Sequence, residues 1–261
     1  MRKTKIKIAL LGAGNVATHL GRAFKNAGYK IVTVYSRTII SAASLGGELN
    51  VPFTDNPVDV PEADIYVISV RDDAIETLLT KLNFGDGLVL HTSGAMPIDI
   101  FKVYTKNYGV FYPLQTFSRF KDLDFKKIPV LVEADSKESL KLLTSLASSV
   151  SNIVQEASSD QRKKIHLAAV FACNFSNHML AICYKILSDD GLDAQLLNPL
   201  VIETFQKALS DNPSNVQTGP AVRGDTNTMK KHLKMLNSYP AFQKIYTFVS
   251  ESIQDLSGHL K

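Results

Sequence analysis

The sequence is poor in residues that would carry a disulfide framework or a zinc site. Only two cysteines occur among 261 residues, Cys173 and Cys183. If both lie on one helix they are roughly 15 Å apart along its axis, too far to bridge. No Cys/His spacing suggests zinc, and no metal is expected. The two thiols read as small apolar residues buried in packing. Charge of one sign is scarce too: 29 Lys and Arg stand against 25 Asp and Glu, a net charge of +4. Lysines pair at Lys126-Lys127, Lys163-Lys164 and Lys230-Lys231 but form no longer run. They read as solvated surface, and no nucleic-acid face is expected. Internal repeats and low-complexity tracts are missing. Met1-Arg2-Lys3-Thr4-Lys5 before an apolar run imitates a secretory leader, but Gly12, Gly14 and Asn15 interrupt that run. The expectation is a cytoplasmic protein. At 45% hydrophobic and 21% charged residues the composition is that of a globular protein, long enough for one large or two modest domains.

What is present starts with Ile6-Lys7-Ile8-Ala9-Leu10-Leu11-Gly12-Ala13-Gly14-Asn15-Val16-Ala17. An apolar strand runs straight into Gly-x-Gly and then into an amphipathic helix. Gly12 allows the sharp turn, Gly14 lets a pyrophosphate approach the backbone, and Ala17 lets the helix pack close to the strand. The helix start offers unpaired N–H groups and partial positive charge to phosphates. Gly12, Ala13, Gly14, Asn15 and Val16 are therefore candidate cofactor-binding residues. The other reading is a glycine turn used for packing.

The helix Asn15–Ala27 stops at Gly28, and a second strand runs over Lys30–Arg37. Its end decides the cofactor. An NAD-preferring site carries Asp or Glu there, bonded to the ribose 2′-hydroxyl. This chain carries Ser36-Arg37-Thr38, with no carboxylate to repel a 2′-phosphate and a guanidinium able to bind one. NADP(H) is expected over NAD. Alternatively, Arg37 is a solvated surface residue. A helix over Thr38–Leu49 and a buried strand over Asp64–Val70 come next. Val70 and Arg71, at that strand's end, are expected over the cofactor. Asp72 or Asp73 reads equally as the N-cap of a helix through Leu82. Further strands are expected at Gly87–His91, Tyr108–Tyr112, Pro129–Glu133 and Asn152–Gln155, with a helix over Lys137–Val150. Alternation of strand and helix means a doubly wound, mostly parallel α/β sheet.

The pattern changes near Ala157, and from Gln161 onward no strand is expected. Helices are expected at Lys163–Leu187, Asp193–Leu209, Asp225–Leu236 and Pro240–His259. His166, Asn174, Asn177 and His178 make the first too polar to span a membrane. The domains are thus 1–157, cofactor-binding, and 158–261, an all-α domain for substrate and dimerisation. These helices look too apolar for about 100 residues to bury alone, so a homodimer through them is expected.

This order of parts resembles pyrroline-5-carboxylate reductase and its relatives in the 6-phosphogluconate and β-hydroxyacid dehydrogenase superfamily, which join a Rossmann domain to an all-α domain. Gly12-Ala13-Gly14-Asn15-Val16, His91-Thr92-Ser93-Gly94-Ala95, Tyr112-Pro113-Leu114-Gln115-Thr116-Phe117 and Thr218-Gly219-Pro220-Ala221-Val222-Arg223-Gly224-Asp225 are more closely similar to a bacterial group of NADP oxidoreductases. That group has a Rossmann-like N-terminal domain and a helical C-terminal domain of unknown function. The resemblance implies hydride transfer between NADP(H) and a small carbonyl or imine compound in an interdomain cleft. The dehydrogenases use a lysine, then an asparagine one turn later, on the central helix. This chain offers His166 and Asn174 there.

Hydride transfer leaves charge on the receiving atom, so a donor must lie within hydrogen-bond reach. His166, Val170, Asn174 and His178 recur every four residues on one helix face. His166, Asn174 and Ser93 are the candidate catalytic residues. Thr116 and Arg223 are candidates for binding substrate, the arginine through a carboxylate. Each has a plainer alternative. His166 forms a buried polar pair, Ser93 shapes a turn, Thr116 caps a helix, and Arg223 pairs with Asp225. His91 is expected to fix a strand end. The alternative function is an NADP(H)-binding sensor or assembly protein without turnover.

Overall fold

A computed structural model describes residues 6–258. The leader-like Met1–Lys5 stretch and His259, the expected end of the last helix, lie outside the described residues. The first part of the chain runs β1 (Lys7–Leu11), α1 (Asn15–Asn26), β2 (Lys30–Tyr35), α2 (Ile39–Leu49), β3 (Phe53–Thr54), β4 (Ile65–Ile68), α3 (Asp72–Leu79), β5 (Leu88–His91), β6 (Tyr108–Pro113), β7 (Val130–Ala134), α4 (Lys137–Val150) and β8 (Val154–Glu156). The strands form one sheet in the order β3-β2-β1-β4-β5-β6-β7-β8. Every neighbouring pair is parallel except β6 and β7. The doubly wound, mostly parallel sheet is as expected.

Strand composition is a consequence of this topology. Helices cover both faces, so both sides of a strand are apolar. In β1, Ile8 and Leu10 join the core that includes α1, α2 and α4 residues, while Ala9 and Leu11 join the core that includes α3 residues. The winding direction reverses between β1 and β4, the place where open α/β sheets bind ligands.

Some boundaries differ from the sequence reading. The two-residue β3 is too short to leave a periodic pattern. The helix after β4 stops at Leu79 rather than Leu82, and its N-cap is Arg71. Asp72 and Asp73 therefore sit in the first turn, where a carboxylate favours the helix dipole, and neither is the cap.

The long helix begins at Ser159, earlier than expected. Ser158 and Gln161 form a capping box there. The helix runs through α5 (Ser159–Ala169), a π-helical stretch (Val170–Phe175) and α6 (Ser176–Asp189). Its start is clamped from below. The Ser159 N–H donates to Glu133 Oε1 at 2.9 Å, and its hydroxyl donates to Oε2 at 2.8 Å. The fully buried Arg162 pairs with the same carboxylate and donates to the Met96 carbonyl. Removing one partner of so deep a pair costs roughly 3–5 kcal/mol, because the other is left without compensation.

The chain divides into two compact units, one through Cys173 and one from Asn174 onward, so the division falls inside the long helix. Besides α6, the second unit holds α7 (Asn198–Ser210), α8 (Thr226–Met235) and α9 (Pro240–Gly258), and no strand among the described residues. Asp225 caps α8 by accepting the Thr228 N–H at 3.0 Å, and Pro240 opens α9. Cys173 is exposed and Cys183 half-buried, which corrects the expectation that both are buried. No residue of α6, α7 or α8 is buried, so these helices leave their apolar faces open.

Candidate functional site

The site grows from the end of β1. Gly12 has φ +133°, and a Cβ there would meet the Ser69 carbonyl oxygen at 2.2 Å. Only glycine lets the chain turn against β4 this closely. The Gly12 N–H donates to Tyr35 O, and the Ser69 N–H to Leu11 O, both at 2.8 Å, so the ends of β1, β2 and β4 are tied together. The turn delivers Gly14 as the N-cap of α1. It supplies no side-chain cap, and the first turn holds no acidic residue. A Cβ on Gly14 would meet nothing within 4 Å. It would project into open space in front of free helix N–H groups, which is the cradle a pyrophosphate needs.

That space is a cleft of about 340 Å³ beyond the strand ends. Gly14, Asn15, Val16 and Val70 line it together with Ser93, Tyr112 and His166. The expected cofactor turn and two of the three expected catalytic residues thus come together. Ala13 is in the turn itself. The Asn15 side chain is otherwise engaged: its amide donates to Phe117 O at 2.9 Å, leaving its backbone N–H for an anion. Ser36 gives its N–H to Thr54 O at 3.2 Å, and Thr38 gives its hydroxyl to Ser41 at 2.9 Å. Arg37 is exposed and lines a second hollow of about 220 Å³ with Tyr35, Val70 and Lys81. Arg71 is exposed and paired with Asp73, which neutralises the carboxylate on that rim. Two cations and no unpaired carboxylate in that lining suit a 2′-phosphate.

A larger groove, about 580 Å³, runs along α1 beside Asp122–Lys126. It contains neither the glycine turn nor Ser93 nor His166, and it lies away from the strand ends.

Ser93 does shape its turn: its oxygen accepts the N–H groups of Ala95 at 3.1 Å and Met96 at 3.0 Å. With both lone pairs engaged, the hydroxyl proton is what it can offer a ligand. Thr116 caps no helix. It is exposed, bonds to the Gln115 side chain at 2.8 Å through its N–H, and does not line the cleft, whereas Gln115 and Phe117 do. Asn174 and Arg223 are exposed residues of the second unit. Within the central helix, the π stretch takes more residues per turn than an α-helix, so the four-residue step from Val170 to Asn174 drifts less around the axis.

Tyr112 is a cleft residue to which sequence reasoning assigned no role. It stands one residue before the end of β6, and nearness to the C-terminal end of a strand was the available signal. Its hydroxyl lies 2.9 Å from Nδ1 of His166. Burial raises its phenol above the ordinary value, against the pull of the Arg162 guanidinium.

His91 fixes a strand end, as expected. It is buried, stacks on Phe101 at 5.4 Å, and accepts the Ser93 N–H at Nδ1 over 3.2 Å. Burial, helped by Arg162, pushes its pKa down to about 3, while the Pro97 backbone opposes this without reaching hydrogen-bond geometry at Nε2. A base held neutral in the fold but free to protonate when unfolded makes stability fall with pH. The loss begins as pH drops through the unfolded value near 6.5 and is complete near the folded value of about 3. Between about pH 7 and about pH 4, His91 should cost on the order of 3 kcal/mol. Urea midpoints measured across that range should decline less steeply in His91→Gln than in the natural protein.

Residues 7–93 match the family described as NADP oxidoreductase, coenzyme F420-dependent, and residues 128–253 match a domain of unknown function, DUF2520. A comparison with curated proteins gives no match. Among solved structures, a Bacteroides fragilis protein named as a candidate NADP oxidoreductase is 40% identical, with a TM-score of 0.90 over 96% of this chain and 98% of its own. A Thermotoga maritima protein is 22% identical, with a TM-score of 0.79 over 96% and 99%. A Myxococcus stipitatus imine reductase in complex with NADP+ shares the fold at 15% identity and a TM-score of 0.67, over 97% and 93%. With its glycine turn, bare helix start and helical second unit, the chain belongs to the NADP oxidoreductase family whose Rossmann-like domain is followed by a DUF2520 domain.

Proposed function

We propose that the protein uses NADP(H) to transfer hydride to or from a small carbonyl or imine compound held beside Ser93 and His166. One observation carries the reading. The uncapped start of α1 opens into the same cleft that Ser93, Tyr112 and His166 line. Phosphates held at the helix start would direct the rest of the dinucleotide along the strand ends towards those groups. Gly12, Gly14 and the N–H groups of Asn15 and Val16 would hold the pyrophosphate, and Arg37 with Lys81 the 2′-phosphate. The bound nicotinamide supplies or takes the hydride. Ser93 and His166 offer hydrogen-bond donors where negative charge develops on the substrate's oxygen or nitrogen. The imine reductase and pyrroline-5-carboxylate reductases that share the fold support the substrate class by analogy. Asn174 is proposed as a further catalytic residue and Arg223 as a further substrate-binding residue. A cytoplasmic location fits a consumer of NADPH, and no membrane or nucleic-acid partner is proposed.

Calorimetric titration with NADPH and NADH tests the cofactor part. NADPH should bind more tightly, and Arg37→Ala should weaken NADPH by roughly 10–100-fold, the value of a hydrogen bond to a charged group, while sparing NADH. Equal binding of the two nucleotides would refute the assignment of Arg37. Tight binding without consumption of NADPH across a panel of ketones and cyclic imines would favour a nucleotide-binding sensor.

We also propose that the helical unit forms a homodimer. Leu200 is 63% exposed, Leu209 86% and Phe248 74%, on helices with little buried surface of their own. By length and composition alone the 31-residue Ser159–Asp189 helix is long and apolar enough to cross a membrane, its most apolar 18-residue window having a mean hydropathy of 1.3. It belongs, however, to a fold shared over 96% of the chain with the Bacteroides fragilis protein, which favours packing against protein. Light scattering at micromolar concentration should give twice the chain mass of 28.7 kDa. A single-chain mass would contradict the proposal.

A further inference from the structure

The contact between Tyr112 and His166 is independent of any cofactor and lies wholly within the first unit. A neutral imidazole carries one proton, on Nδ1 or on Nε2, and what the ring offers a ligand depends on which. Three features fix the choice here.

The first is packing on the Nδ1 edge. A Cβ on Gly94 would lie 2.6 Å from His166 Nδ1 and 2.9 Å from Tyr112 Cζ. The ring is therefore seated against a bare backbone, in a place that any larger residue at 94 would take. With Nδ1 covered by Gly94 and Tyr112, the opposite edge carrying Nε2 is the one left for the cleft that His166 lines.

The second is hydrogen-bond balance. Tyr112 is half-buried, and Nδ1 is the acceptor placed for its hydroxyl at 2.9 Å. If the phenol donates, both groups are satisfied. If Nδ1–H donated instead, the phenol proton would be left without this partner in a partly dry site. Burial also holds that proton on the phenol.

The third is rigidity. His166 comes one helical turn after Arg162, and Arg162 is locked to Glu133 and the Met96 carbonyl. The helix is thus fixed close to the ring, and the ring's edge-on contact with Tyr112, at 5.9 Å between centroids, fixes its orientation.

We propose that Tyr112 is a positioning residue that holds His166 in the Nε2–H form, with Nε2–H presented to the cleft as a hydrogen-bond donor. The site would then recognise a ligand atom that accepts a hydrogen bond, such as a carbonyl oxygen or an imine nitrogen. The tautomer itself needs no ligand, whereas its use in catalysis rests on the proposed oxidoreductase function.

The test is 15N NMR of the protein labelled at histidine, recorded without nucleotide well above the ordinary imidazole range. Six histidines are present, and the His166 signals are assigned by their loss in His166→Asn. The natural protein should show an unprotonated Nδ1 and a protonated Nε2. Tyr112→Phe, which keeps the ring and removes the hydroxyl, should shift both nitrogens towards the averaged values of a mixed tautomer. Gly94→Ala, which displaces the imidazole, should do the same. A protonated Nδ1 in the natural protein would overturn the proposal, as would unchanged nitrogen shifts in Tyr112→Phe. NADPH titration of the same samples keeps the two ideas apart. Loss of nucleotide binding with the tautomer intact would sink the oxidoreductase function alone. An altered tautomer in Tyr112→Phe with normal NADPH binding would support the positioning role without a folding defect.

Discussion

Gly12 sits where β1, β2 and β4 end together, with the Ser69 carbonyl in the place a side chain would need. The rest of the site depends on that close approach. It starts α1 directly in front of the strand termini, so the free N–H groups of the first turn face the cleft. A helix begun one or two residues later would point the same groups elsewhere. The cost is a left-handed backbone that glycine alone adopts without strain. The gain is a preorganised anion site that needs no charged side chain in its first turn.

A second constraint holds the part of the lining that carries Ser93 and His166. Glu133 at the end of β7 holds the first turn of α5 through Ser159 and Arg162, and Arg162 reaches on to the loop carrying Met96. Sheet, Ser93 turn and long helix are joined through this one buried pair. The same guanidinium helps keep His91 uncharged beneath the Ser93 turn. Polar groups are therefore concentrated at the start of the long helix, and apolar ones dominate its later turns. The two ends of the helix differ accordingly: its first turns are tied to the sheet by the buried Arg162–Glu133 pair, and its later turns are left without a buried residue.

Much of this was readable in the sequence. Gly12 marked the turn because no other residue serves there, and Gly14 marked the bare helix start that follows it. The apolar runs of β1 and β4 marked buried parallel strands, and the helix over Lys137–Val150 has the bounds its pattern gives. Short-range signals were less well read. Ser158-x-x-Gln161 is a capping box, yet polar residues after it hid the helix start. β3 has too few residues to show a period. Tyr112 could not be identified from its neighbours, because its importance comes from His166, far away in the chain. Thr116 looked functional beside a strand end, but the local bond to Gln115 turns it aside. His91 was expected to fix a strand end, and its burial supplies the reason: a base pushed to about 3 holds structure and does not exchange protons near neutrality.

The central claim is that the N-terminus of α1 and the adjoining strand ends form the nucleotide cradle. Amide hydrogen exchange with and without saturating NADPH tests it most directly, because it reads the individual N–H groups. The account predicts slowed exchange at Gly14–Ala17, with weaker slowing at Ser69–Arg71 and Ser93–Gly94. Unchanged exchange in α1, or slowing confined to the groove beside Asp122–Lys126, would contradict it.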